Sequence, residues 1–393
     1  MSAVLAVPAG RRVRLDRLGV LLCVVALASL ALQPFVVFKL NRIVSGHARA
    51  LIDVLPLAAV AGFYAILAAV GLVALGVHRA RVRLVSALVG IVAVALVIAA
   101  AADALTPAGN RWVRVSPGAA FWVLLVALGL MATDAVARLR PGPGRRVLAL
   151  LAVAGVVALA FGTGLFHNLS IMREYAVNAT SFAREARQHV LLALGSLVAA
   201  TAIGVPLGIA CHRVPRIRGA VLETLSLIQT IPSIALFGIL MVPLAALAAA
   251  FPLARALGIS GIGAAPAVIA LFLYALLPVV ANTVAGLSRV SPATVEAARG
   301  MGLTDWQVLT EIEFALALPV VLTGIRIVLV QNIGLATIAA LIGGGGFGTF
   351  VFQGLGQTAI DLVLLGAIPT VALAFSSAVL LDALIDVMQG STR

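Results

Sequence analysis

Polar side chains able to do chemistry are scarce in this 393-residue chain, and they fall into two groups. The first is a polar island, residues 291–319, reading SPATVEAARGMGLTDWQVLTEIEFALALP between two long apolar runs. The second is a set of amides and hydroxyls inside otherwise apolar runs: Gln229, Thr230 and Ser233 around Pro232, then Asn282 and Thr283, then Gln331, Asn332 and Thr337. A buried amide or hydroxyl in hydrocarbon needs a partner or a water-filled lining. Gln229, Thr230, Ser233, Asn282, Gln331, Asn332 and Thr337 are therefore a candidate translocation path. The alternative for any one of them is a hydrogen bond between helices. Neither group is a catalytic constellation. The sequence holds no H-E-x-x-H, no paired cysteines and no nucleophile elbow. Its single lysine, Lys39, lies in no glycine-rich run, so the phosphate-binding G-x-x-x-x-G-K-[ST] pattern is missing. The glycine run 343–346 reads instead as a flexible or tightly packed helix end. No catalytic residue, metal ligand set or cofactor is expected, and P-loop ATP hydrolysis by this chain alone is excluded.

Within the island, Ser291 reads as an N-cap with Pro292 at the first helical position, where the missing N–H costs nothing. Gly300 and Gly302 supply a left-handed stop. Thr304 restarts a helix, with Gln307 as its capping-box partner and Asp305 favourable at the positive helix end. The pattern predicts helix, glycine turn, helix: a structured knob at a membrane surface, suited to docking another molecule. Glu296 is placed to pair with Arg299 or with a docked partner. Trp306 is placed to contact that partner or to anchor at the headgroups.

The elements that must carry these residues are membrane spans. The chain is 63% hydrophobic and 10% charged, where a soluble domain is nearer 25% charged. Many apolar runs reach the roughly 20 residues that cross a bilayer as helix. The fold class is all-α and polytopic, with ten spans at about 18–38, 51–77, 82–102, 118–137, 147–166, 189–211, 219–248, 265–287, 319–341 and 361–387. The seventh is long and holds Pro232, Pro243 and Pro252, which predicts a kink or re-entrant stretch at its outer end. Net charge +13 sits in short loops and reads as topology information, with no nucleic-acid partner. Arg11, Arg12, Arg14, Arg17, Arg79, Arg81, Arg83, Arg138, Arg140, Arg145, Arg146, Arg213, Arg216, Arg218, Arg289, Arg299, Arg326 and Arg393 fall on one side. The other side holds half as many: Lys39, Arg42, Arg49, Arg111, Arg114, Arg173, Arg184, Arg187 and Arg255. The positive-inside rule then puts both termini and the island in the cytoplasm. Cys23 and Cys211 form no disulfide framework. Residues 167–188 divide the chain; Ile171, Tyr175 and Phe182 at helical spacing make this stretch an external linker or interfacial helix. Gly204 and Gly208 form a G-x-x-x-G, the mark of close helix packing.

The island resembles the coupling-loop motif of permease subunits of bacterial ABC importers: E-A-A, three residues, Gly, nine residues, Ile-x-Leu-Pro. Glu296, Ala297, Ala298, Gly302 and Ile312 match at that spacing, while Phe314 and Ala315 depart and Pro319 comes later. The stretches LIQTIPSIALFGIL, YALLPVVANTVAGL, EAARGMGLTDWQVL, NIGLATIAALIGGGGFG and GAIPTVALA look like the osmoprotectant branch, the glycine betaine/carnitine/choline type. The resemblance covers about 189–389 and implies a five-helix core there, with coupling loop 288–318. It also implies pairing with a second copy or a sister permease, ABC ATPase subunits at the cytoplasmic face, and an extracytoplasmic substrate-binding protein. Residues 1–166 look like the extra N-terminal spans of longer relatives. The location implied is the bacterial cytoplasmic (inner) membrane, in contact with lipid.

Three other readings compete. The cargo could be an amino acid such as methionine. An ion-coupled secondary transporter would need a carboxylate at mid-membrane and inverted repeats. Asp134, Glu223, Asp382 and Asp386 fall near helix ends, Asp53, Asp103 and Asp361 fall near the outer surface, and no such repeat is evident. The last is a scaffold or sensor built on the first five spans.

Overall fold

The computed structural model describes residues 16–41, 44–110 and 112–390. Arg11, Arg12, Arg14, Arg42, Arg111 and Arg393, which enter the charge asymmetry above, lie outside the described residues. Contacts divide the described chain into two compact units. One is Met1–Pro141 with Val157–Arg173, as far as described, and the other is Gly142–Val156 with Glu174–Arg393.

The first unit holds α1 (Arg17–Leu32), β1 (Val36–Lys39), β2 (His47–Arg49), α2 (Leu51–Val54), α3 (Leu57–Gly76), α4 (Ala80–Leu105), β3 (Arg114–Pro117) and α5 (Ala119–Leu139). Its core is one cluster in which Phe63, Val94, Ile98, Leu124 and Met131 interlock. Phe35 meets Phe63 and Phe121 edge to face. The expected first span stops early. The 16 residues of α1 reach about 24 Å, short of a roughly 30 Å hydrocarbon core. Pro34 forces the residue before it into extended backbone, and Gln33 takes φ −123°, ψ 146°. The chain then joins a small antiparallel sheet of order β2-β1-β3, a minor addition to the expected helical fold.

Arg83 is a second correction. It enters the sequence reading as a loop charge, yet its side chain is fully buried. Its guanidinium lies 3.1 Å from Asp16 Oδ2 and 3.5 Å from Asp134 Oδ2, and donates to the Ala74 carbonyl. Arg138 contacts both carboxylates as well. The Gly19 N–H first, and then the Arg83 and Arg138 guanidiniums, hold the Asp16 carboxyl below its usual range against the opposing effect of burial.

The second unit contributes most of the remaining elements. They are α6 (Pro143–Gly162), α7 (Ser170–Arg213), α8 (Pro215–Thr230), α9 (Ser233–Ala250), α10 (Pro252–Ala256), α11 (Ala264–Ser288), α12 (Pro292–Gly300), α13 (Asp305–Gln307), α14 (Phe314–Ala336), α15 (Gly348–Gly356) and α16 (Ile360–Gly390). A π-helical turn, Val308–Glu313, joins α13 to α14, and a 3-10 turn, Ile338–Ile342, follows α14. Among the described residues, nine helices are long and apolar enough to cross a membrane, α13 to α14 counting as one. In the stretch 167–188, helix begins at Ser170, and a non-helical Asn178 (φ −107°, ψ 15°) separates this short first helix from the long remainder of α7. The expected seventh span also differs. It breaks in its middle, at Ile231–Pro232, into α8 and α9, because Ile231 precedes a proline and takes extended backbone. Pro243 lies inside α9 and Pro252 opens α10.

The core of this unit packs α7 against α11 and α14 through Ala193, Leu197, Ala200, Ala275, Val279, Val328 and Ile333. Gly204 and Gly208 let α7 approach α11: a Cβ on Gly208 would lie 2.6 Å from Thr283 Cβ, and one on Gly204 2.9 Å from Val279 Cγ1. Gly208→Leu is expected to destabilise the chain by about 1–3 kcal/mol through overpacking, read as a lower unfolding midpoint in detergent.

Candidate functional site

The knob forms from local chemistry. Pro292 begins α12 and Ser291 stands at the N-cap, although the Ser291 side chain makes no cap bond. Gly300 is the last helical residue and not part of the left-handed stop. That role belongs to Gly302 alone, at φ +89°. Leu303 N–H donates to the Ala298 carbonyl and Gly302 N–H to the Arg299 carbonyl. These are the two bonds of a Schellman C-cap, satisfying carbonyls the helix leaves open. The capping box is complete: Thr304 Oγ1 accepts from Gln307 N–H, and Gln307 Oε1 accepts from Thr304 N–H at 2.9 Å.

The knob's second helix is not short. It starts at Asp305, passes through the π turn and continues past Pro319 to Ala336 as one element of 32 residues. Arg299 pairs with Asp305 across the turn at 3.0 Å, which displaces the expected Glu296–Arg299 pair. Glu296 and Ala297 are exposed, Ala298 and Val308 are buried in the elbow, and Ile312 is half-buried. Met301 and Trp306 are 72% and 71% exposed, two large apolar side chains offered to solvent on either side of Gly302. Arg213, Arg299, Asp305, Trp306 and Leu309 line an open depression of about 320 Å³ beside them. Arg213, at the last turn of α7, clasps the buried Glu313 of the π turn at 2.6 Å. The elbow is thus tied to α7 by an ion pair with one buried partner.

The candidate path residues divide. Gln229 Nε2 donates to the Tyr274 carbonyl at 2.7 Å, and the Tyr274 hydroxyl donates to the Ile231 carbonyl, so both serve the break between α8 and α9. Thr230 Oγ1 donates to the Leu227 carbonyl within α8. Asn282 Nδ2 donates to the Pro278 carbonyl and lies against Gly324, where a Cβ would come within 2.7 Å. Thr283 is buried and bonded within its own helix. Asn332 is fully buried and donates to Ser196 Oγ on α7 at 2.8 Å, an interhelical bond and not a lining position. Ser233, Gln331 and Thr337 are half-buried and Thr230 is exposed. Tyr274→Phe would leave the Ile231 carbonyl without its donor. It is expected to lower stability by about 1–3 kcal/mol, measured as a shifted denaturation midpoint.

Arg326 enters the sequence reading as a cytoplasmic loop charge and Asp382 as a helix-end acid. They form an ion pair between the middle of α14 and α16. Arg146 pairs with Asp386 at 2.9 Å. Each acid is paired with an arginine, so neither is the lone central carboxylate that ion coupling would use.

Sequence reasoning missed a second polar cluster. Glu185, Gln188 and His189 of α7 face the glycine run 343–346. Glu185 Oε2 accepts from Gly346 N–H at 2.8 Å and from Thr349 Oγ1 at 3.2 Å. Gln188 Nε2 donates to the Gly344 carbonyl, and His189 Nδ1 accepts from Phe347 N–H at 3.3 Å. A signal existed: Glu185, His189 and Ser196 recur on one helical face of an otherwise apolar run.

Residues 201–392 match the family described as the binding-protein-dependent transport system inner membrane component. Residues 16–172 match the N-terminal domain of the ABC transporter permease YehY. The carnitine transport permease protein OpuCB of Listeria monocytogenes is 38% identical over 187 residues, 48% of this chain and 78% of that one. The osmoprotectant import permease protein OsmW of Salmonella typhimurium is 43% identical over 197 residues, 50% of this chain and 86% of that one. Among solved structures, an inward-facing form of the MetNI methionine ABC transporter aligns with TM-score 0.44 and 18% identity, over 53% of this chain and 95% of that one.

Proposed function

The chain belongs to the family of binding-protein-dependent transport system inner membrane components, multi-pass permeases of ABC importers, and from that premise we propose that it admits a small osmoprotectant of the quaternary-ammonium class. Glycine betaine, choline and carnitine are the cargo candidates. The observation that carries the ATP-driven mechanism is the knob. A left-handed glycine elbow presents Met301 and Trp306 outward while its second helix continues without a break into the membrane-crossing part of the chain. Large exposed apolar side chains on a rigid support are the anchors a protein partner buries. The chain lacks a phosphate-binding loop, so hydrolysis falls to separate ATPase subunits docked on Glu296, Ala297, Met301 and Trp306. Excess arginine on the knob's side supports a cytoplasmic position for that face and both termini.

Residues 189–389 act as the permease core, with coupling loop 288–318. Residues 1–166 are an accessory region, and a second copy or sister permease completes the pathway. Few aromatic side chains line the core, so a binding protein outside does the selecting, by the attraction of ring faces for a quaternary ammonium. The carnitine and osmoprotectant names of the similar permeases support that cargo. The test is uptake of labelled glycine betaine by cells without osmolyte importers of their own that express this chain with its ATPase and binding protein. Saturable uptake that carnitine or choline competes away supports the reading. Competition by methionine, with betaine left outside, replaces the cargo by an amino acid.

A further inference from the structure

The α14 segment is tied to α7 at both ends and once between. At the knob end, Arg213 of α7 holds Glu313 just before α14. At mid-length, Ser196 accepts from Asn332. At the remote end, Glu185, Gln188 and His189 hold the turn that follows α14. Glu313 and Ala336 are 23 residues apart, about 35 Å of helix, close to one bilayer thickness. The two clasps therefore sit at opposite ends of one helix pair.

The remote clasp grips backbone, and its target is built for close approach. Gly343, Gly345 and Gly346 all have positive φ, at +78°, +74° and +85°. A Cβ on Gly346 would come within 3.0 Å of His189 Nδ1, and one on Gly345 within 3.0 Å of Glu185 Oε2. Gly263 N–H, just before α11, adds a bond to the Ile342 carbonyl at 2.7 Å. Glu185 is 7% exposed and its Oε1 meets the exposed Arg184 at 3.2 Å, which leaves Oε2 to accept from Gly346 N–H in largely buried surroundings. His189 accepts at Nδ1, so its ring is the tautomer with the proton on Nε2, and it packs tilted against the Phe347 ring at 4.9 Å. A turn with three left-handed glycines has little rigidity of its own, and these three side chains hold it together with the Gly263 N–H.

We propose that Glu185, Gln188 and His189 are positioning residues that latch the 343–346 turn and hold the permease shut at the end remote from the knob. Motion of the knob, carried along α14, releases the latch. The inference rests on the ABC-permease reading above. Contiguous packed and bonded groups join the two ends along α7 and α14, one physical route such coupling can take.

The test uses the full chain reconstituted with its ATPase and binding protein, reading ATP hydrolysis with and without substrate-loaded binding protein, and betaine moved per ATP. Glu185→Ala and His189→Leu remove the acceptors. Each is expected to raise binding-protein-independent hydrolysis about five- to tenfold and to lower betaine moved per ATP by a similar factor. Glu185→Gln and His189→Asn keep an acceptor in place and are expected to stay near wild type. Thr349→Val deletes one hydroxyl donor and leaves the fold intact. It is expected to give a two- to threefold rise, about the effect of one hydrogen bond, and it carries the test where an alanine variant fails to assemble. Equal loss of hydrolysis and uptake in the acceptor-free variants, or no change in either, overturns the latch. No stimulation of hydrolysis by binding protein in the wild type overturns the transport reading, and the latch with it.

Discussion

Gly302→Val is expected to abolish ATP-driven uptake while the chain still accumulates in the membrane at the wild-type level. Gly302 has φ +89° and nothing within 4 Å of where its Cβ would be. The penalty is therefore purely one of backbone conformation, since a β-branched residue at positive φ is a true outlier. Holding it there costs of order 1–3 kcal/mol, and at the upper end the native elbow is populated about 100-fold less. The Schellman bonds at Gly302 and Leu303 go with it, and with them the fixed placement of Met301 against Trp306. Gly302 itself packs against nothing, so accumulation of the chain in the membrane is expected to be unaffected. Gly302→Asn is the control, because asparagine tolerates the left-handed region and should retain most uptake. Uptake rate against chain abundance in isolated membranes separates the two.

Arg213→Met is expected to have the next largest effect. It orphans the Glu313 carboxylate, whose side chain is 5% exposed, while Arg213 itself is 34% exposed. Removing one partner of a fully buried pair costs about 3–5 kcal/mol, and the partial exposure of Arg213 brings the expectation to about 2–3 kcal/mol. Since the pair ties α7 to the π turn under the knob, the loss should lower both the unfolding midpoint and the uptake rate. The charge-swapped pair, Arg213→Glu with Glu313→Arg, should recover part of both, because attraction is restored although geometry is not. Recovery in the midpoint with none in uptake would mean that the side chains, and not only their charges, matter to the partner.

What was legible in the sequence was local. Gly302, Thr304 and Gln307 declare an elbow because a left-handed stop and a capping box are made by residues within one turn of each other. Gly300 misled because glycine permits a left-handed conformation without requiring it. Pro232 marked a disturbance in the seventh apolar run, but its form as a full break depends on Tyr274. That hydroxyl, 43 residues along the chain, satisfies the Ile231 carbonyl, and no local pattern reveals it. Arg83 reads as one more loop arginine until Asp16 and Asp134 converge on it. The strands Val36–Lys39 and Arg114–Pro117 are too short to alternate visibly and are separated by two long helices. Glu185 and His189 reach their partners across about 160 residues. Long-range pairing of polar groups in an apolar chain leaves only a faint stripe of periodicity behind.

The most direct measurement of the central claim is uptake of labelled glycine betaine into proteoliposomes holding this chain with its ATPase and binding protein, comparing wild type with Gly302→Val. The account predicts uptake by the wild type only when ATP and binding protein are both present, and none above background for the variant. Uptake driven by a proton or sodium gradient without ATP, or wild-type uptake by Gly302→Val, would contradict it.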